Sequence, residues 1–230
     1  MRDKNHLDKV EYNAIRNFHA SFFGCYAQQN PKAFLSLNRL LNAEKFDTII
    51  ELGTHDGGLS SLFALYCFGS RHPATAQDAN EPSLYKNSQH HKSPKQFHTF
   101  DISLRDIPRL QLLQALGTNF QQIDTLNDQN NIQYIGNIIK NGGRVLLLCD
   151  GGDKKKEFEL YAPFLKQNDI IMGHDWAKDD KAFADIQTRG IWYGCEIKWK
   201  DIEGTCKQNN IAQIYSDEFD DVVWFCGIKQ

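Results

Sequence analysis

Three stretches of the 230-residue chain carry side chains whose types and spacing suit chemistry. The first is Glu51-Leu52-Gly53-Thr54-His55-Asp56-Gly57-Gly58-Leu59-Ser60, where an apolar run ends in a carboxylate and then turns through glycines. Glycines let backbone approach a ligand closely at such a turn. The other two are Cys149-Asp150-Gly151-Gly152-Asp153-Lys154 and Gly173-His174-Asp175-Trp176. Asp150, His174 and Asp175 amount to two carboxylates and an imidazole, a donor set for a divalent ion. Oxygen ligands favour magnesium or calcium, and the imidazole shifts the preference toward manganese, iron or zinc. An ion there would lower the pKa of a bound hydroxyl and orient it. With no ion, His174 is the favoured general base, because its ordinary pKa lies near neutrality. Asp153 and Lys154 are further candidates, and Lys154 would need a lowered pKa. The plainer reading of the lysine run 154–156 is a solvated helix start. The plainer reading of Asp150 and Asp175 is that they cap the helices that follow.

The glycine spacing narrows the ligand. A dinucleotide site uses G-x-G-x-x-G, whose second glycine lets a pyrophosphate touch the backbone. Here His55 stands in that place, and the spacing is E-x-G-x-x-x-G-G. This suits a ligand without phosphates, such as the ammonium and carboxylate of the methionine end of S-adenosylmethionine. Gly53, Thr54, Gly57, Gly58 and Ser60 form the candidate cradle, and Glu51 acts on the ligand directly or orients the loop. A side chain at Gly53 is expected to fill the methionine space while sparing the fold. Asp101 ends the next strand, where an acidic residue would meet the ribose hydroxyls. Glu81 has better raw spacing but no strand before it. Asp124 fits the adenine side of the pocket or a surface loop.

These residues need a frame that brings them together. Dense apolar runs at 48–52, 97–100, 120–123, 145–149 and 170–172 read as strands buried on both faces of a parallel sheet. Helical patterns at 59–68, 107–116, 132–141 and 157–165 alternate with them, which implies βαβ units. Runs at 196–199, 212–215 and 222–228 read as strands with short connections, hence an antiparallel edge. Residues 1–45 read as a helical cap: Tyr12, Ile15, Phe18, Phe22 and Phe23 recur near helical spacing, Gly24 breaks the pattern, and Asn30-Pro31 starts a second helix. It either packs on the sheet or forms a lid. Residues 46–230 then form a Rossmann-like α/β domain with a mostly parallel seven-stranded sheet. A polar insertion at about 70–94, holding His90-His91, reads as a solvated loop rather than a metal pair.

Composition excludes several classes. Lys and Arg number 26 against 29 Asp and Glu, a net charge of −3, which offers no broad nucleic-acid footprint. No apolar stretch approaches the roughly 20 residues of a membrane helix. The six cysteines lack C-x-x-C spacing, and Cys67, Cys149 and Cys226 sit in apolar runs as buried hydrophobes. No signal peptide is read, so a reduced, cytoplasmic compartment is expected.

Taken in order, Gly24…Gln29-Asn30-Pro31, then Ile49-Ile50-Glu51-Leu52-Gly53-Thr54…Gly57-Gly58, then Cys149-Asp150-Gly151…Glu159-Leu160-Tyr161-Ala162-Pro163 resemble the cephalosporin hydroxylase and rhamnosyl O-methyltransferase family. The resemblance spans roughly residues 20 to 176 apart from the insertion. It implies a class I methyltransferase fold, S-adenosylmethionine, and often a divalent metal beside the acceptor, Mg2+ or Mn2+. Family members often carry two adjacent carboxylates where this chain has His174-Asp175, and His174 replaces the first. The expected activity is O-methylation of a small-molecule or sugar hydroxyl, with no nucleic-acid or membrane partner and room for a homo-oligomer. Enzymes that methylate base amines resemble one another in an Asn/Asp-Pro-Pro-aromatic motif. Here that place reads Asp150-Gly151-Gly152-Asp153, with no aromatic sandwich for a flipped base. An oxygen-using hydroxylase and a non-catalytic cofactor-binding protein are the alternatives.

Overall fold

The computed structural model describes residues 20–22, 25–71, 96–103 and 110–230. Five strands take up the dense apolar runs: β3 (Thr48–Leu52), β4 (Gln96–Asp101), β5 (Asn119–Gln122), β6 (Val145–Cys149) and β7 (Ile170–Gly173). All residues of β3, β6 and β7 are buried, as two helix-covered faces require. The crossover helices are α2 (Gly58–Arg71), α3 (Leu110–Ala115), α4 (Gln129–Asn141) and α5 (Lys154–Tyr161). With β10 (Ile211–Gln213) and β11 (Phe225–Lys229) the strands form a seven-stranded sheet of order β10-β11-β7-β6-β3-β4-β5. Only β11 runs against the rest, pairing antiparallel with both β7 and β10. The expected α/β architecture with an antiparallel C-terminal edge is therefore present.

Register does the positioning. Phe100, Leu52, Cys149 and Gly173 lie in one row across β4, β3, β6 and β7. The next residues along those strands are Asp101, Gly53, Asp150 and His174. Four candidates drawn from widely separated parts of the chain thus emerge side by side at the carboxyl edge. The strand order reverses at β3, which opens a crevice at that edge.

Two regions differ from expectation. The helix read across Phe22 gives way to a two-stranded antiparallel ribbon, β1 (Ala20–Phe22) with β2 (Cys25–Ala27). Tyr12, Ile15, Phe18, Phe23 and Gly24 lie outside the described residues. The second helix, α1 (Pro31–Ala43), forms as expected: Asn30 caps it through Lys32 N, and Pro31 occupies its first turn. Its Ala33, Leu37, Leu40 and Leu41 join one core cluster with Ile49, Phe63, Leu146 and Trp224, so this helix packs on the sheet. All of the polar insertion beyond Arg71, with Glu81 and His90-His91, lies outside the described residues.

At the other end the connections are longer than expected. Residues Trp176–Ala177 (β8) and Ile197–Lys198 (β9) pair in a small separate parallel sheet, with α6 (Asp180–Thr188) between them. Helix α7 (Trp199–Gln208) then leads to β10, and α8 (Ser216–Phe219) precedes β11. Helix α7 buries only Ile202 and Cys206, and α6 only Ile186. Such thin apolar stripes give only a weak helical signal in sequence, so packing decides these elements. Among the described residues, no helix is long and apolar enough to cross a membrane.

Candidate functional site

A cavity of about 460 Å³ opens at the carboxyl edge, within the usual range for a small-molecule site. Gly53, Thr54, Gly58, Asp101, Asp124, Asp150, Lys154, His174 and Asp175 all line it. Glu51, Gly57 and Ser60 do not, and so support the loop from outside the cavity.

Beneath the glycine turn lies a buried polar knot. Ser60 and Thr99 hydroxyls both donate to Glu51 Oε2, and Thr54 Oγ1 lies 2.6 Å from Thr99 Oγ1. Glu51 is fully buried, with Oε1 lacking a partner. Burial pushes its pKa up to about 8; the two hydroxyls pull the other way, and Asp150 and Asp101 add repulsion. Of the two roles open to Glu51, this geometry matches the orienting one.

Gly53 has φ +95°, and a Cβ there would stand 2.3 Å from the Asp150 carbonyl oxygen and 2.9 Å from Gly151 Cα. The glycine is needed for backbone-on-backbone contact between the ends of β3 and β6. A larger residue therefore disturbs the fold of the loop itself, contrary to the expectation that only ligand space would be lost. A Cβ at Gly58 would meet the Tyr26 carbonyl at 2.3 Å, so β2 lies directly on the start of α2.

Asp101 accepts the His55 N–H at 2.8 Å and the Ser103 N–H at 3.0 Å, which fixes its carboxylate at the cavity wall. Asp124 accepts the Leu126 and Asn127 N–H groups, and the Leu126 N–H, then the Asn127 side chain and N–H, hold its pKa below the usual range. It shapes a surface turn and also lines the cavity.

The opposite wall is charged. Asp150 Oδ1 lies 2.9 Å from His174 Nδ1, and Asp175 Oδ1 lies 3.6 Å from the same nitrogen. Asp153 caps α5 and Asp179 caps α6, so neither Asp150 nor Asp175 serves as a helix cap. The Lys154 ammonium lies 3.0 Å from both Asp175 Oδ2 and Glu196 Oε2. Lys154 is 5% exposed, so the first lysine of the run is an interior charge partner. Burial works against its charge, but Asp150 and Asp175 outweigh burial and raise its pKa. That direction opposes the lowering a base would need and removes Lys154 from the candidate bases. Burial alone would lower His174, yet Asp150 and Asp175 raise it overall. Burial alone would raise Asp175, and His174 and Lys154 more than offset it. His174 is packed between the Trp192 and Trp224 rings at centroid distances of 5.0 and 4.9 Å. Its Nε2 is buried without a partner among the described residues.

One ligand atom each from Asp150, His174 and Asp175 lie within 4.8 Å of one another. The two Oδ1 atoms face His174 Nδ1, and Lys154 engages only Oδ2 of Asp175. These donors fit a divalent ion.

Sequence reasoning missed other wall residues. Trp192 donates from Nε1 to Asp175 Oδ1. Gln29 donates to Asp150, and Glu196 pairs with Lys154. Gln29 stood in a recognisable stretch without a role. Trp192 and Glu196 follow α6 in a segment with no motif, and only the fold returns them to the crevice.

No family model matches the chain, and no curated protein matches it in sequence. Solved structures match it in shape. CmcI with Mg and SAM has a TM-score of 0.57 at 12% identity, over 90% of this chain and 76% of that one. A candidate caffeoyl-CoA O-methyltransferase from Staphylococcus aureus has a TM-score of 0.53 at 14% identity, over 99% of both chains. An O-methyltransferase from Bacillus cereus in complex with SAH has 0.51 at 14%, over 100% and 92%. The fold is that of the class I S-adenosylmethionine-dependent methyltransferases.

Proposed function

We propose that this chain is an S-adenosylmethionine-dependent O-methyltransferase acting on a hydroxyl of a small molecule or sugar. One observation carries the reading: the Gly53 turn, Asp101 and Asp124 share a single cavity with the Asp150–His174–Asp175 cluster. In this reading the Gly53 turn takes the methionine end, Asp101 the ribose hydroxyls, and Asp124 the adenine side. The acceptor enters beside Asp150, His174, Asp175 and Trp192. Methyl transfer needs the acceptor lone pair in line with the sulfonium methyl, so positioning supplies much of the rate.

Asp150, His174 Nδ1 and Asp175 would hold a divalent ion, Mg2+ or Mn2+, which would polarise the acceptor hydroxyl when bound. Lys154 keeps its proton and bridges Asp175 and Glu196. His174 faces Asp150 through Nδ1, and its Nε2 is buried.

Titration with S-adenosylmethionine and S-adenosylhomocysteine by calorimetry tests the cofactor assignment. Binding of both is expected, and absence of both overturns it. Chelation followed by metal add-back tests the ion. Loss and recovery of activity is the expected result. An active preparation that holds no metal and ignores chelator makes His174 the base.

A further inference from the structure

The chain after β2 forms a strap along the crevice wall, and its Gln29 is 3% exposed. Its amide is fixed at both ends. Trp224 Nε1 donates to Gln29 Oε1 at 2.9 Å, and Gln29 Nε2 donates to Asp150 Oδ2 at 2.7 Å. The indole N–H can only donate, so the carbonyl end of Gln29 must face Trp224 and the NH₂ end must face Asp150. Asp150 then offers its other oxygen, Oδ1, to His174 Nδ1. The Trp224 ring closes the circuit by packing on the His174 ring. Four side chains from four separate segments thus form a closed ring of contacts. Next to Gln29, Asn30 is 1% exposed and reaches the Ile191 carbonyl at 3.5 Å, which ties the strap to the segment bearing Trp192.

We infer that Gln29 is a positioning residue for the acceptor side of the site. It holds Asp150 Oδ2 so that Oδ1 alone is presented to His174 and to whatever cation or hydroxyl the cluster meets. A carboxylate without this tether could rotate about its terminal torsion, which is broad and roughly two-fold. The inference rests on the methyltransferase reading for its functional meaning, but the geometry it asserts is independent of that reading.

The test compares Gln29→Met and Gln29→Glu with the parent protein after chelator treatment, so that His174 Nδ1 is free of metal. Two readouts are taken: the imidazole Nδ1–H signal of His174 by nuclear magnetic resonance, and S-adenosylhomocysteine affinity by calorimetry. Gln29→Met keeps the length and removes the hydrogen bonds, and loss of the parent Nδ1–H signal is expected. Affinity should stay within about threefold, since the cofactor wall is untouched. Gln29→Glu sharpens the claim. While neutral, the new carboxyl can accept from Trp224 and donate to Asp150, and burial beside Asp150 favours that form; once ionised, it repels Asp150. Across a pH titration its spectrum should follow the parent until the new carboxyl ionises and Gln29→Met afterwards. A folded Gln29→Met with the parent signal overturns the inference, as does a Gln29→Glu spectrum that still tracks the parent after its own carboxyl has ionised. Should Gln29→Met fail to fold, the Gln29→Glu comparison still decides. Absence of S-adenosylhomocysteine binding in the parent would instead strike the proposed function and leave the Gln29 comparison standing.

Discussion

The two walls of the crevice are built in opposite ways. The Gly53 wall is backbone packed on backbone, with Glu51, Ser60 and Thr99 knotted underneath and out of the cavity. The Asp150 wall is made of charged side chains, with Lys154 and His174 set among Asp150, Asp175 and Glu196. The first has no spare volume, and in the second each charge leans on an opposite partner. Added atoms should break one, and removed charge the other.

The largest effect is expected at Gly53→Val. Its φ of +95° and the 2.3 Å approach to the Asp150 carbonyl force the ends of β3 and β6 apart. Overpacking and backbone strain each cost about 1–3 kcal/mol, so a combined loss of roughly 3–5 kcal/mol is expected. Denaturant unfolding measures this, and S-adenosylhomocysteine binding should vanish with it. Parent-like stability would show that the wall yields.

Next comes Lys154→Met, which keeps the volume and removes the ammonium. Asp175 would lose its cation in a buried setting, and breaking such a pair costs about 3 kcal/mol. Stability should fall while cofactor affinity holds, the converse of what a substitution on the other wall does to binding. If binding falls in step with stability, the two walls are coupled and the contrast is wrong.

Asp101→Ala tests the cofactor wall without steric insult. Loss of one charge-assisted bond to the ribose should weaken S-adenosylhomocysteine by roughly 1.5–3 kcal/mol. Calorimetry reads this directly, and unchanged affinity would leave Asp101 with only its loop bonds to His55 and Ser103.

The gentlest test uses pH. Glu51 and Glu157 are both buried, and burial pushes each up to about 8 from an ordinary 4.5. Between those values the folded chain holds protons that the unfolded chain releases. Their contribution is therefore fully present below about 4.5 and is lost as pH rises through about 8. Glu51→Gln imitates the neutral acid and should flatten part of that decline, with a change of about 1 kcal/mol or less at the acid end. An unaltered pH slope in this variant would show that Glu51 is ionised in the fold.

How much could be read from sequence follows the same divide. The runs at 48–52 and 145–149 match β3 and β6 residue for residue, because strands buried on both faces must be continuously apolar. Asp101, Asp150 and His174 were legible because each sits at the carboxyl end of a strand in a doubly wound sheet. Lys154 was misread, since nothing in a run of three lysines marks which one faces inward. Gln29, Trp192 and Glu196 were assigned no role, because their partners are chosen only once the chain has closed. Helix α7 was taken for a short connection between strands, because two buried residues do not stand out against its polar surface.

The tether on Gln29 also bears on the order of folding. Its partners lie 121 and 195 positions away, and Trp224 stands just before β11, which slots between β7 and β10. Contacts spanning so much chain must overcome the loop-closure entropy of everything between them, so they form late. The strap can seat only after Trp224 has been placed, which makes closure of the crevice one of the final events. What closes last tends to open first. The strap is thus expected to lift in a local unfolding step while the central strands stay protected from hydrogen exchange.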